Sequence, residues 1–328
     1  PTLNITNPIN GTVFNPSTTN VNVEFLINNF VVANGTGDGH IHYTINAGSV
    51  VMKYDTTPIS IPTTPGTYTV YMELVDNTHT AITPAVNATV TFEVAALNVV
   101  TDLAALRADV IANGAGKYYQ VSSTPVISYA RTTRNQKYIQ DASAGVLIDD
   151  LPGTITTTMV AGDAISGLKG QAALFSGVLQ ILPFENATVA SSGNTITPQV
   201  VTAADIAANI EMYESELVQI TGVTFDATAT NFAANANTPI TAPTASVFRS
   251  NFSATEVDYI GQAIPTTPRT IIAFPGENTV SVPSPSIYFV ARSLAELNVL
   301  SSNSFDNING LTMYPNPLSG NTLYLTST

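Results

Sequence analysis

Short runs in which every second residue is apolar constrain this chain more than any other feature. Val21, Val23, Phe25 and Ile27 form one run, Tyr68, Val70, Met72 and Leu74 a second, and Ala88, Val90, Phe92 and Val94 a third. Period two sends alternate side chains to opposite faces of a sheet, so each run predicts a half-buried strand. Turn signals separate them: Asn10-Gly11, Asn34-Gly35, Gly37-Asp38-Gly39 and Pro65-Gly66. About seven short strands within residues 1–95 predict an immunoglobulin-like sandwich.

The pattern changes near residue 96. Thr101 or Asp102 is placed to cap a helix with apolar positions Leu103, Leu106 and Val110, ending at Asn113-Gly114. Strands are expected at 118–121, 126–129, 138–140, 146–148 and 164–168. The plan recurs from residue 202. Thr202 and Asp205 suggest a capping box before Ile206 and Ile210, and the strand 216–220 follows. The segments GKYYQVSSTPVIS and ESELVQITGVTFD both sit just after a short helix. Residues 96–200 and 201–298 therefore read as diverged copies of one OB-like barrel. The Ala/Asn/Thr/Pro stretch at 226–245 reads as a loop. Ser293 to Glu296 reads as a capping box for one helical turn. The expected fold class is all-β: a sandwich at 1–95, barrels at 96–200 and 201–298, and a linker with the start of a further sandwich at 299–328.

Composition limits the chemistry. The 328 residues predict two to four domains. There is no cysteine, so disulfides, thiolate metal sites and cysteine nucleophiles are excluded, and an exported bacterial protein is favoured. The net charge is −13. An acidic surface repels nucleic acid and anionic membranes, so neither is expected as a partner. No apolar run is long enough for a transmembrane helix. No signal peptide precedes Pro1, so an exported chain has lost its signal or continues something longer. All three histidines lie before residue 80, which leaves the rest of the chain without a Ser-His-Asp triad. No P-loop or dinucleotide glycine motif occurs.

Three segments resemble known families. YIQDASAGVLIDD followed by VAGDAISGLKGQAALFSGVLQI resembles OB-like modules in surface proteins of Gram-negative gliding bacteria. The second barrel lacks the QDASAG turn. At the C-terminus, Met313-Tyr314-Pro315-Asn316-Pro317, then Gly320, then Leu323-Tyr324-Leu325, resembles the start of the type A sorting domain of the type IX secretion system. The Pro-Asn-Pro unit cannot continue a central strand, and TLYLT reads as the strand after the turn. This resemblance implies partners, an outer-membrane translocon and a shuttle protein. It also implies a location in the medium or on the surface of a Gram-negative cell. Such bacteria are associated with O-glycosylation at Asp-Ser/Thr motifs, and Asp55-Thr56-Thr57 would mark Thr56. Finally, GDGHIHYTINAG with PGTYTVYMELVDNTHT resembles a small bacterial domain family with a Gly-His-x-His segment and a later strand-end histidine.

Candidate chemistry is sparse. His40 and His42 are two apart in a strand, so both project to one face while Ile41, Tyr43 and Ile45 take the other. With His79 after the strand at 68–75 they can bind Zn or Cu, and Asp38 or Asp76 would complete the shell. The simpler reading is three histidines hydrogen-bonding at a sandwich end. Asp141, Asp149 and Asp150 offer oxygen ligands for Ca²⁺, but their spacing matches no EF-hand, and solvated loop carboxylates are the favoured reading. Tyr129, Arg131, Arg134, Lys137 and Tyr138 combine basic and aromatic residues as an oligosaccharide-binding face does, with glycan favoured over nucleic acid and a solvated hairpin as the alternative. The expected function is a non-catalytic accessory region for adhesion, ligand binding or spacing. The alternatives are the C-terminal modules of a larger secreted nuclease or protease, and a metal-binding sandwich with spacers.

Overall fold

The computed structural model describes residues 1–226, 228–280 and 286–297, together with the backbone strands at 311–314 and 324–327. The fold is all-β, with 45% strand against 9% helix. Among the described residues, no helix is long and apolar enough to cross a membrane. The chain forms two compact units. The first holds residues 1–197, 209–217 and 275–287, and the second holds the remainder.

The first unit opens with a β-sandwich. Its strands are β1 Thr2–Asn7, β2 Val13–Phe14, β3 Asn20–Asn28, β4 His40–Ile45, β5 Val51–Lys53, β6 Ile59–Pro62, β7 Gly66–Val75 and β8 Asn87–Val94. One sheet has the order β1-β3-β6 and the other β2-β8-β7-β4-β5. The alternating residues meet between them. Val21, Val23 and Phe25 of β3 share a core with Val70, Met72 and Leu74 of β7 and with Val90 and Phe92 of β8.

The next sheet contains β9 Leu97–Val100, β10 Tyr118–Val121, β11 Val126–Ala130, β12 Lys137–Gln140, β13 Gly145–Ile148, β14 Ala164–Ser166, β15 Lys169–Phe175, β16 Val178–Pro183 and β17 Thr188–Ser191. Helix α1, Leu103–Asn113, fills its core with Leu103, Leu106 and Val110. Asp102 caps it by accepting from the Ala105 N–H at 2.8 Å, and Gly114, at φ 81°, ends it. Asp141 accepts the Leu103 N–H, which ties the start of the helix to the end of β12.

In the second unit, β18 Gln199–Val200 leads into α2 Ala203–Ala208, and Thr202 and Asp205 cap each other reciprocally. The strands β19 Val218–Phe225, β20 Asn237–Ala242, β21 Ser246–Arg249, β22 Arg269–Asn278 and β23 Ser286–Val290 follow, of which residues 275–278 and 286–287 belong to the first unit. Strand β19 pairs with both β20 and β22, so the sheet closes on itself. The pairing order matches that of the earlier sheet. β9 lies parallel to β10, as β18 does to β19, and β13 lies parallel to β16, as β21 does to β23. In the earlier sheet two consecutive strands, β10 and β11, take the positions that β19 fills alone. Phe225, Phe232, Phe248 and Tyr259 meet edge to face in the barrel core.

Two local expectations change. The stretch 226–245 is not simply a loop: Asn237–Ala242 is a paired strand, with Thr238 and Ile240 buried. Glu296 does not box with Ser293; it accepts from the Arg292 N–H at 2.8 Å and from the Arg292 guanidinium. At the C-terminus, β24 Leu311–Tyr314 pairs antiparallel with β25 Tyr324–Ser327. Pro315, Asn316, Pro317 and Gly320 lie outside the described residues.

Residues 209–217 are fastened into the first unit by Arg107. Its guanidinium donates to Glu211 Oε2 at 2.6 Å and Glu214 Oε1 at 3.0 Å, and to the carbonyls of Gly145 and Glu214. The Leu179 N–H also donates to Glu214 Oε1. Gly145 permits this approach, because a Cβ there would lie 2.6 Å from the backbone of Ser215 and Glu216. Burial pushes the Glu214 carboxyl up to about 7 against the pull of Arg107, and burial pushes Glu216 up to about 7 as well. A carboxyl raised this way binds its proton more tightly when folded. The folded chain thus holds more protons than the unfolded chain between about pH 4.5 and 7, and its stability falls as pH rises through that window. We expect the melting temperature of the first unit to drop from pH 4.5 to 7.5. Glu216→Gln should flatten that slope, recovering on the order of 2 kcal/mol at pH 7.5. Calorimetry of both proteins across this range is the check; parallel profiles would contradict it.

Candidate metal centre

Strand β4 carries two of the three histidines. Its register against β7 sets Ile41 opposite Leu74 and His42 opposite Glu73. Ile41 and Leu74 are fully buried in the sandwich core. Strict alternation then turns His40 and His42 to the outer face. His79 arrives from the turn after β7. Asp76 Oδ1 accepts from the N–H groups of Thr78 and Thr80 at 2.8 and 2.9 Å and so curls the chain back. His79 sits inside that curl with φ 65°, the left-handed region. The turn packs directly on the start of β4 because residue 39 is glycine: a Cβ there would lie 1.9 Å from the Val75 carbonyl oxygen. Asn77 adds a hydrogen bond to the Gly37 carbonyl at 2.9 Å.

The three rings converge. His40 Nε2 lies 3.1 Å from His42 Nε2 and 3.1 Å from His79 Nδ1, and the latter two are 3.2 Å apart. Hydrogen bonding does not explain this triangle. Each nitrogen offers either a proton or a lone pair, so at least one of the three contacts must set like against like. Three lone pairs directed at one cation satisfy all of them. A metal about 2.0–2.1 Å from each nitrogen would sit about 1 Å out of their plane, with N–metal–N angles of about 100°. The group is close enough to hold a metal ion. Two of the donors are biased toward the neutral form that a metal takes. Burial, then the neighbouring imidazoles, lowers the proton affinity of His40, and burial followed by His79 does the same for His42.

The surroundings are asymmetric. His40 is 2% exposed, His42 half-buried and His79 exposed, so the site opens on the His79 side. The Tyr54 ring lies 4.8 Å from that of His40, centroid to centroid, and its hydroxyl meets Met52 Sδ at 3.2 Å. The expected carboxylate ligands do not join the group. Asp38 accepts from the Val31 N–H, and Asp76 spends Oδ1 on its turn.

The other candidate residues are dispersed. Asp141 accepts from Leu103, Ser123, Ser143 and Ala144, Asp149 pairs with Arg134, and Asp150 accepts the N–H groups of Thr154 and Ile155. These carboxylates serve local structure and form no shared Ca²⁺ site among the described residues. Tyr129 stands opposite Tyr138 on β11 and β12. Lys137 and Tyr138 are buried, Arg131 donates to Gln136 at 2.5 Å, and Arg134 donates from Nε to Asp149 at 2.9 Å. The five residues do not share one open face. Thr56 is exposed in the loop between β5 and β6, where Asp55 is tied to Lys53 and Thr57. Those bonds, from Lys53 first, pull the Asp55 carboxyl down to about 2.

This geometry separates two substitutions. His79→Asn replaces the third donor with a residue that tolerates left-handed backbone, and it should change stability by no more than about 0.5 kcal/mol. Gly39→Ala forces a Cβ onto Val75 and should cost about 2–4 kcal/mol while displacing the turn. Urea denaturation of the metal-free proteins is the check; equal losses would show that the turn does not depend on Gly39.

No family model matches this chain, and no curated protein matches it, so its chemistry rests on the arrangement of its own residues.

Proposed function

We propose that this chain is a non-catalytic, exported binding region whose N-terminal sandwich holds one zinc or copper ion on His40, His42 and His79. The observation that carries the reading is the triangle of ring nitrogens, 3.1–3.2 Å on a side. Neutral imidazole suits both metals, and three protein donors leave coordination positions open. The open side lies toward solvent-exposed His79, so an oxygen or nitrogen donor from an external ligand can complete the shell. The protein then acts as a docking module, with the metal as its anchor. Untagged protein should carry or take up one Zn²⁺ or Cu²⁺ per chain by elemental analysis and titration calorimetry. His42→Ala should weaken that binding by at least about 100-fold. Equal metal uptake by wild type and His42→Ala would reject the site.

The export route rests on the tail. The segment from Met313 to Leu325 supports recognition by a type IX translocon and shuttle protein. The paired strands β24 and β25 flank the Pro-Asn-Pro unit, as a turn between two strands requires. The complete natural C-terminus, fused to a periplasmic reporter in a type IX host, should carry that reporter to the cell surface. Joint substitution of Pro315, Asn316 and Pro317 should reduce the surface signal several-fold. A reporter that stays periplasmic with the intact tail would reject the route.

A further inference from the structure

A second site lies in the first unit, beside α1 and the turn from β15 to β16. It is a cavity of about 560 Å³, within the ordinary range for small-molecule sites. Ile111, Leu174 and Val280 line its apolar part, and Arg107, Glu211 and Glu277 its charged part. All six belong to the first unit.

Glu277 is the informative residue. It is 7% exposed, it lines the cavity, and no described residue donates a hydrogen bond to its carboxylate. An enclosed carboxylate without a protein donor is costly unless water or a ligand supplies the partner. The chain makes room for this one. Gly177, at φ 104°, faces it so closely that a Cβ there would lie 2.1 Å from Glu277 Oε1. The carboxylate therefore occupies the space of a side chain at 177. Burial raises its proton affinity most, repulsion from Glu211 adds to that, and attraction by Arg107 opposes it.

Arg107 does not balance the site. Both hydrogens of its NH1 group go to Glu211 and Glu214, and those of NH2 go to the carbonyls of Gly145 and Glu214. Its Nε is sealed from solvent, as is the unpartnered Glu214 Oε2. The guanidinium therefore offers an anion in the cavity no accessible free donor. In the lining, Glu211 and Glu277 outnumber the single guanidinium, so the cavity favours positive charge. A metal ion is disfavoured too: among the described residues, the histidine trio alone brings enough ligand atoms together.

We propose that this cavity binds an organic cation, a primary ammonium on an aliphatic body, with the ammonium on the free carboxylate of Glu277 and the body against Ile111, Leu174 and Val280. A protonated amine supplies the hydrogen bonds Glu277 lacks, and an aliphatic chain covers the apolar wall. The site is independent of the histidine trio, so either can fail without the other.

The test titrates the full chain at pH 7 with hexylammonium and with hexanol, in the presence of EDTA so that amine coordination to metal does not contribute. Hexylammonium should bind once per chain, at least about ten-fold more tightly than hexanol. Glu277→Gln removes the charge at constant shape; it should lose that preference while melting no lower than wild type, since an unpaired buried charge has gone. Gly177→Ala should also weaken the amine by crowding the carboxylate. Equal binding of hexylammonium and hexanol to the wild type, equal amine affinity in Glu277→Gln, or no saturable binding by about 1 mM would each overturn the proposal.

Discussion

The placement of His40 and His42 depends on the register of β4 between β5 and β7. Ile41 must face the core, where it meets Leu74 and Met72, and the period of two then leaves His40 and His42 no choice of face. A slip of one residue would expose Ile41 and bury two imidazoles without partners. Hydrophobic burial is worth about 1.5–3 kcal/mol for such a side chain, and an unsatisfied polar group costs about as much, so both terms oppose the slip. The apolar core thus sets the face on which both imidazoles stand.

Close backbone approach recurs at both candidate sites. At the histidine trio, Gly39 lets the Asp76 turn settle on β4, and His79 reaches its partners from there. At the cavity, Gly177 leaves the space that Glu277 fills. Each glycine lies opposite a chain segment distant in sequence, and each leaves open the space a side chain would fill.

The Arg107 cluster has a different character. It buries one guanidinium with Glu214 while leaving Nε and one carboxylate oxygen without partners. Buried ion pairs of this kind contribute little net stability, because desolvation offsets most of the attraction. Their value is in specifying one arrangement. Here they fasten residues 209–217 in the first unit, although the chain on either side of that segment belongs to the second.

What the sequence determined by itself is local and periodic. The alternation in β3, β7 and β8, the Asp102 cap on α1, the Thr202–Asp205 cap on α2 and the outward pairing of His40 with His42 all follow from steric rules acting over a few residues. The Asn237–Ala242 strand escaped that reading because its composition resembles a loop; its partners β19 and β21 make it a strand. Tertiary structure alone decided which distant residues meet. His79 reaches His40 across 39 positions, and Arg107 reaches Glu214 across 107. The same is true of Glu277, whose lack of a partner is visible only once Gly177 stands against it. Such contacts carry no local signature, since the energy that forms them comes from sheet pairing and core burial elsewhere in the chain.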